Sequence, residues 1–186
     1  HQLNDSGADA IVVLTNFAAT LEKALPDVKL KHVIVSDLGD CIGGLKGLLV
    51  NTVVKHVKRL VPKWNIPKAI GFKQVMHQGA ACTFDRVDVK PDDVAFLQYT
   101  GGTTGVSKGA VLLHRNMLAN VLQIVSWVQP VASLGNEAVI VALPLYHIFS
   151  LTVCCFCFFS FGAECILVAN PRDIDGFVNL LTKSRF

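Results

Sequence analysis

The stretch Tyr99-Thr100-Gly101-Gly102-Thr103-Thr104-Gly105-Val106-Ser107-Lys108-Gly109 follows an apolar run and combines four glycines, four Ser or Thr hydroxyls and one lysine. Glycine has no Cβ, so backbone N–H groups in such a loop can approach an anion closely. The hydroxyl groups add hydrogen-bond donors, and Lys108 adds a positive charge. This combination predicts a loop that binds the phosphates of a nucleotide triphosphate.

Three other interpretations of this glycine-rich stretch can be compared with its spacing. A Walker A loop requires Ser or Thr directly after the lysine, but Gly109 follows Lys108. A dinucleotide-binding fingerprint opens a helix, whereas the residues 110–113 have the apolar pattern of a second strand. A hairpin turn without a ligand would also contain Gly and Thr, but it would gain nothing from the lysine. We therefore expect a strand, a phosphate loop and a second strand over residues 95–113.

The loop resembles the signature phosphate loop of the AMP-forming acyl-CoA synthetases, which belong to the adenylate-forming superfamily. Three further segments are similar to bacterial long-chain fatty-acid CoA ligases: 95–98, 114–120 and 170–174. The resemblance implies an acid–thiol ligase that uses ATP, Mg²⁺ and coenzyme A. The carboxylate of a long-chain fatty acid would react with ATP and release pyrophosphate, and the thiol of coenzyme A would then form the thioester.

The resemblance also implies roles for the loop residues. Thr103 and Thr104 would donate hydrogen bonds to the departing phosphates, and Lys108 would be a mobile counter-charge; all three are predicted catalytic residues. Mg²⁺ would share the phosphate charge, without an assigned ligand in this chain. The nucleotide-binding positions implied are Tyr99, Thr100, Gly101, Gly102, Thr103, Thr104, Gly105, Val106, Ser107, Lys108, Gly109 and Ala110.

A second candidate segment is Ala142-Leu143-Pro144-Leu145-Tyr146-His147-Ile148-Phe149. The resemblance implies that His147 is a catalytic residue that gates and positions the acyl carboxylate and the thiol, with Tyr146 beside it at the substrate. On the residues alone, a single histidine in an apolar run is also compatible with a core or helix-capping side chain.

Alternating apolar runs predict an α/β fold, in which a mostly parallel sheet has helices on both faces. The predicted strands are 10–15, 32–36, 94–99, 109–113, 139–143 and 164–168, and the predicted helices are 16–25, 114–131, 149–161 and 173–183. The length of 186 residues, with 52% hydrophobic and 17% charged residues, suits one ordinary core. Motifs for adenine, ribose and an adenylating lysine are missing. We therefore expect residues 1–186 to be an internal fragment of the N-terminal AMP-binding domain, without the C-terminal domain and inactive alone.

Residues 41–84 contain seven basic residues and no acidic residue, giving +7, whereas the rest of the chain has a net charge of −4. Apolar residues there recur at helical spacing, at positions 45, 48, 49, 53, 57 and 60. This pattern predicts a basic amphipathic helix that contacts an anionic membrane from the cytoplasmic side. The alternative is an insertion helix packed on the fold with its lysines in water. Nucleic acid is not an expected partner, because no aromatic residues are interleaved with the basic ones.

The remaining patterns favour core structure. The apolar stretch 148–162 is shorter than the roughly 20 residues that span a bilayer, so a buried helix is predicted there. Cys154 and Cys157 have the C-x-x-C spacing of zinc or redox sites, but the phenylalanines around them favour small buried thiols in a reducing cytoplasm.

Two alternatives to the long-chain ligase remain at this stage. A related adenylating enzyme would use a medium-chain or aryl acid, or would transfer the acyl group to a carrier protein. An inactive membrane-binding or interaction fragment would have a vestigial loop.

Overall fold

The computed structural model describes residues 1–101, 105–133 and 135–184, in two compact units, His1–Val87 and Asp88–Phe186. We call them unit 1 and unit 2. Three of the predicted phosphate-loop residues, Gly102, Thr103 and Thr104, lie outside the described residues.

Unit 1 contains a three-stranded parallel sheet in the order β1-β2-β3. Ala10 is opposite His32 in the first pair, and Val33 is opposite Ala69 in the second. Its elements are α1 (Gln2–Asp5), β1 (Ala10–Leu14), a 3₁₀ turn (Thr15–Phe17), α2 (Ala18–Ala24), a 3₁₀ turn (Leu25–Asp27), β2 (His32–Ser36), α3 (Gly44–Thr52), a π-helical turn (Val53–Val57), β3 (Ala69–Gly71) and α4 (Phe72–Ala80). The first two strands confirm the prediction. β3 and α4 were not predicted, because the pattern of 41–84 indicated only one helix.

The core of unit 1 lies between the sheet and α2. Val33 and Val35 alternate along β2, and Ala18 and Leu21 are three residues apart on α2, so each pair lies on one face of its element. The side chains of Leu30 and Ile66 complete the buried cluster. Burial of these apolar surfaces is what holds the short strands in register.

A close backbone contact and a polar network hold α3 on unit 1. Gly47 of α3 is buried against the carbonyl of Gly39, where any Cβ would collide. Asn51 accepts a hydrogen bond from Gly39 N at 2.7 Å and donates one to Asp40 Oδ1 at 3.1 Å. Lys73 Nζ lies 3.2 Å from the same carboxylate, whose side chain is only 10% exposed.

The carboxylate of Asp40 stays ionised in this network. Burial alone would raise its pKa, but hydrogen bonds from the backbone of Asp37 and from Lys73 and Asn51, with the charge of Lys73, hold the pKa below the ordinary value. Because the folded-state pKa is lowered, the network stabilises unit 1 above the ordinary aspartate pKa. That stabilisation is lost as the pH falls through the lowered pKa.

Unit 2 contains a parallel pair of strands and an antiparallel hairpin. Its elements are β4 (Val94–Thr100), β5 (Lys108–Leu113), α5 (His114–Val128), β6 (Ala138–Val141), a π-helical segment (Ser150–Cys157), α6 (Phe158–Ser160), β7 (Glu164–Leu167) and α7 (Ile174–Lys183). Across the described parts of both units, three strand pairings are parallel and one is antiparallel, which confirms the mostly parallel α/β fold.

The predicted boundaries need small corrections. The helix predicted over 114–131 ends at Val128, with Gln129 as its C-cap, because Pro130 has no backbone N–H to continue the helical hydrogen bonds. The strand predicted over 139–143 is Ala138–Val141, and Pro144 follows closely. Asp173 is not helical but caps α7, since its Oδ1 accepts a hydrogen bond from Gly176 N at 3.1 Å.

The helix predicted over 149–161 is only partly buried. Its buried residues are Ser150, Thr152, Cys154, Cys157 and Phe161. Phe149 and Phe159, near its two ends, are exposed. The buried cysteines confirm the prediction of small core thiols, and burial raises the pKa of the Cys157 thiol.

Within the ranges that the structure describes, none of the helices is both long and apolar enough to traverse a bilayer.

We predict that Gly47→Ala destabilises the protein by about 2 kcal/mol, because the added methyl group must displace the Gly39 carbonyl. Gly79→Ala, in the exposed part of α4, is the matched control: its Cβ meets no atom within 4 Å. That control should be neutral or stabilising by about 0.5 kcal/mol through helix propensity. Urea unfolding of both variants measures the difference, and equal stabilities would contradict the close contact.

Candidate functional site

The predicted phosphate loop connects β4 to β5, and the antiparallel ladder continues to its two ends. Tyr99 pairs with Gly109, and Thr100 pairs with Lys108. Ser107 Oγ donates a hydrogen bond to the Thr100 carbonyl at 2.7 Å. The described ends of the loop are therefore closed by main-chain pairing and by one side-chain hydrogen bond. Lys108, predicted to precede the strand, is its first residue.

The described glycines of the loop have different structural roles. Gly109 makes room for the ring of Tyr99, because a Cβ there would lie 2.9 Å from Tyr99 Cζ. At Gly101 and Gly105 a Cβ would meet no atom of the described residues within 4 Å. Packing against the described residues therefore does not explain glycine at these two positions. Open space there would allow close approach of phosphate oxygens to the backbone.

Among the described residues, no carboxylate forms an ion pair with Lys108. The Lys108 side chain is exposed. In the sequence, Lys108 is close to Gly101 and Gly105. Its positive charge can therefore attract a phosphate to this loop. Val106 is also exposed.

The second predicted segment is tied to the strand that leads into the loop. Gln98 Nε2 on β4 donates a hydrogen bond to the Tyr146 carbonyl at 3.0 Å. The rings of Tyr146 and His147 are neighbours, with centroids 5.0 Å apart. The structure thus brings Tyr146 and His147 to β4, one residue before Tyr99. Both side chains are exposed, so the alternative of a core histidine is wrong.

Hydrogen bonds fix the turn that presents His147. His147 N donates to the Pro144 carbonyl at 3.0 Å, and Leu151 N donates to the His147 carbonyl at 2.9 Å. Ser150 Oγ, fully buried, donates to the Leu143 carbonyl at 2.9 Å. His147 therefore lies where a tight turn enters a helix, which limits the directions that its side chain can take.

Sequence reasoning missed the supporting residues Gln98 and Ser150. Gln98 was part of the segment that resembles the ligases, but nothing in its local pattern indicated a partner 48 residues away. A polar residue inside the apolar stretch after His147 was the available signal for Ser150. A buried hydroxyl needs a hydrogen-bond partner, and the turn provides one.

The whole chain matches a family of proteins. Residues 1–186 match the family model described as AMP-binding enzyme. The chain belongs to the AMP-binding enzyme family. Family membership agrees with the predicted adenylate-forming fold. The matched residues include the hairpin of β4 and β5, and the family is named for the binding of AMP.

The sequence is also similar to bacterial ligases over its full length. It is 52% identical to the Long-chain-fatty-acid--CoA ligase of Escherichia coli O157:H7 and 50% identical to that of Haemophilus influenzae, covering 100% of this chain in both cases. It spans 33% of the length of each of these relatives.

Solved structures support the fold. ATP-bound MatB from Rhodopseudomonas palustris aligns with 95% of this chain and 38% of its own, at a TM-score of 0.57 and 21% identity. A red-emitting luciferase from Phrixothrix hirtus aligns with 90% of this chain and 28% of its own, at a TM-score of 0.59 and 18% identity. At these identities the likeness concerns the fold alone.

We predict that Gly109→Ala lowers stability by about 1–2 kcal/mol, because the new Cβ would push the Tyr99 ring from its place on the hairpin. Gly105→Ala is the control within the same loop, and its Cβ would enter open space. Its stability should stay within about 0.5 kcal/mol of the native protein. Urea unfolding compares the two, and a larger loss for Gly105→Ala would contradict the described packing.

Proposed function

We propose that the complete protein is a long-chain fatty-acid CoA ligase. In the proposed reaction the fatty acid is activated by ATP with release of pyrophosphate, and the acyl group then passes to the thiol of coenzyme A. The observation that carries this proposal is the closed hairpin around the proposed phosphate loop, with the Tyr146 carbonyl hydrogen-bonded to its first strand and His147 beside Tyr146. Full-length identity of 50–52% to proteins of that name supports it.

The loop residues are proposed to bind the triphosphate. Open space at Gly101 and Gly105 admits phosphate oxygens, and Lys108 balances their charge as pyrophosphate departs. Thr103 and Thr104, which lie outside the described residues, remain the proposed hydroxyl donors. Mg²⁺ would be bound through the phosphates, since the described residues include no group of three His, Cys, Asp or Glu side chains able to hold a metal.

His147 is proposed to position the reacting acyl group, with Tyr146 as its neighbour. The turn from Pro144 to Leu151 holds the backbone of His147, while its imidazole is exposed and free to contact a substrate. The hydrogen bond from Gln98 links this turn to the strand that enters the loop. Phosphate binding and acyl positioning would therefore share one structural support.

The organisation and location of the protein are part of the proposal. Residues 1–186 would form part of the large N-terminal domain, with the adenine, ribose and C-terminal lysine sites in other parts of the protein. The protein would act in the cytoplasm, at the inner face of the membrane, where long-chain fatty acids partition.

Exchange of labelled pyrophosphate into ATP by the full-length protein tests the proposed reaction. We expect exchange that depends on palmitate and exceeds the exchange with octanoate, benzoate or acetate, followed by thioester formation when coenzyme A is added.

Gly105→Ala should weaken ATP binding about tenfold without loss of stability, because a methyl group then occupies the open space.

The other results distinguish the alternatives. Exchange with another acid only would keep the assignment of the loop and replace the substrate. Transfer to a carrier protein instead of coenzyme A would indicate the related adenylating enzyme. No exchange with any acid would overturn the proposal and favour a vestigial loop.

We predict that His147→Ala lowers turnover at least about tenfold while the KM for ATP changes less than about twofold, because His147 would act on the acyl group and not on the nucleotide. His77→Ala, at an exposed histidine of α4, is the control and should leave both constants unchanged. Steady-state kinetics with palmitate measures both. Equal loss of turnover and ATP binding, or no loss of either, would contradict the role.

A further inference from the structure

Side chains on one face of β4 contact the segment that contains His147. Alternate residues of a strand lie on the same face, so Phe96 and Gln98 are neighbours there. Gln98 Nε2 donates a hydrogen bond to the Tyr146 carbonyl at 3.0 Å. The ring of Phe96 lies beside the ring of Phe156 in the π-helical segment, with centroids 6.1 Å apart. One face of β4 therefore contacts both the turn and the segment that follows it.

The main chain of Gln98 is fixed by the hairpin that ends in the predicted phosphate loop. Gln98 is opposite Ala110 in the antiparallel ladder, two pairs before the pair of Thr100 and Lys108. The residue is also half-buried, which restricts the directions that its side chain can take. The side-chain amide of Gln98 therefore relates the position of the turn to the position of the loop.

The other hydrogen bonds described for this turn lie within the turn and the helix that follows it. His147 N donates to the Pro144 carbonyl, and Ser150 Oγ donates to the Leu143 carbonyl. Such bonds hold the shape of the segment, but they do not set its position relative to β4. The hydrogen bond from Gln98 joins the turn to β4 directly.

We propose that Gln98 is a positioning residue for the activation of the fatty acid, and that it acts through His147. This inference rests on the proposed ligase function, in which the loop binds the triphosphate and His147 positions the acyl group. A carboxylate reacts with a phosphorus atom only when the two are aligned, and a displacement of about 1 Å can lower the rate about 100-fold. By joining the turn to the strand that enters the loop, Gln98 would align the two reactants.

Loss of this hydrogen bond should leave the fold intact. The bond lies in an exposed part of the structure, so water can replace the Gln98 amide at the Tyr146 carbonyl. The contact of Phe96 with Phe156 and the bonds within the turn do not depend on Gln98. The turn would keep its shape but occupy several positions relative to β4. We therefore expect a larger effect on catalysis than on stability.

Hydrogen–deuterium exchange of the full-length protein tests the positioning without catalysis. In Gln98→Leu, which has no side-chain donor, the backbone amides of residues 144–149 should exchange at least about fivefold faster than in the native protein. Gln98→Glu has the same length but a carboxylate that cannot donate, so it should have the same effect. Gln123→Leu, at an exposed glutamine of α5, is the matched control and should exchange like the native protein. Native exchange in both Gln98 variants would overturn the positioning.

A double-mutant cycle tests whether Gln98 acts through His147. In palmitate-dependent pyrophosphate exchange, Gln98→Leu should lower the maximal rate about tenfold and change the KM for ATP less than about twofold. Its midpoint of urea unfolding should equal that of Gln123→Leu. Adding Gln98→Leu to His147→Ala should lower the rate less than about twofold further, because the positioned group is already absent. If the losses of the two single variants multiply instead, the action through His147 is overturned.

The positioning role and the ligase function can fail separately. If the native protein exchanges pyrophosphate with palmitate and Gln98→Leu is as active as Gln123→Leu, the positioning role fails and the ligase function stands. If the native protein shows no exchange with any acid, the ligase function fails, and hydrogen–deuterium exchange alone decides whether Gln98 holds the turn.

Discussion

The antiparallel pairing of β4 with β5 determines where the phosphate loop begins and ends. Thr100 opposite Lys108 is the last pair of the ladder, and Ser107 closes the same end with its bond to the Thr100 carbonyl. Paired antiparallel strands resist displacement because every second pair of opposite residues exchanges two main-chain hydrogen bonds. A short loop held at both ends loses less conformational freedom on binding an anion, which favours binding.

The same hairpin also fixes the position of the second segment. Gln98, one residue before Tyr99, bonds to the Tyr146 carbonyl, and the buried stripe of Ser150, Cys154 and Cys157 anchors the following helix in unit 2. His147 lies between these two attachments. Its exposed side chain is therefore supported by a rigid turn, which is the arrangement expected of a positioning residue.

A glycine contact has an equivalent role in unit 1. Because Gly39 and Gly47 have no side chains, α3 approaches the loop after β2 closely enough for Asn51 to reach both Gly39 and Asp40. This attachment uses one side of α3 and leaves Leu45, Leu48 and Leu49 exposed on the other. The close backbone approach thus has a consequence at the surface, where it sets the direction of the exposed leucines.

The sequence by itself determined the elements that depend on local chemistry. Alternating and β-branched runs gave β1, β2 and the hairpin strands almost to the residue, and the glycine–threonine loop with Lys108 indicated the phosphate site. It did not reveal β3 and α4, the partial burial of the helix after His147, or the partners of Gln98 and Asn51. Those features depend on contacts between residues far apart in the chain, such as Gln98 with Tyr146. Tertiary structure decided them because helical spacing defines an apolar face, whereas only packing decides whether that face turns toward the core or toward its surroundings.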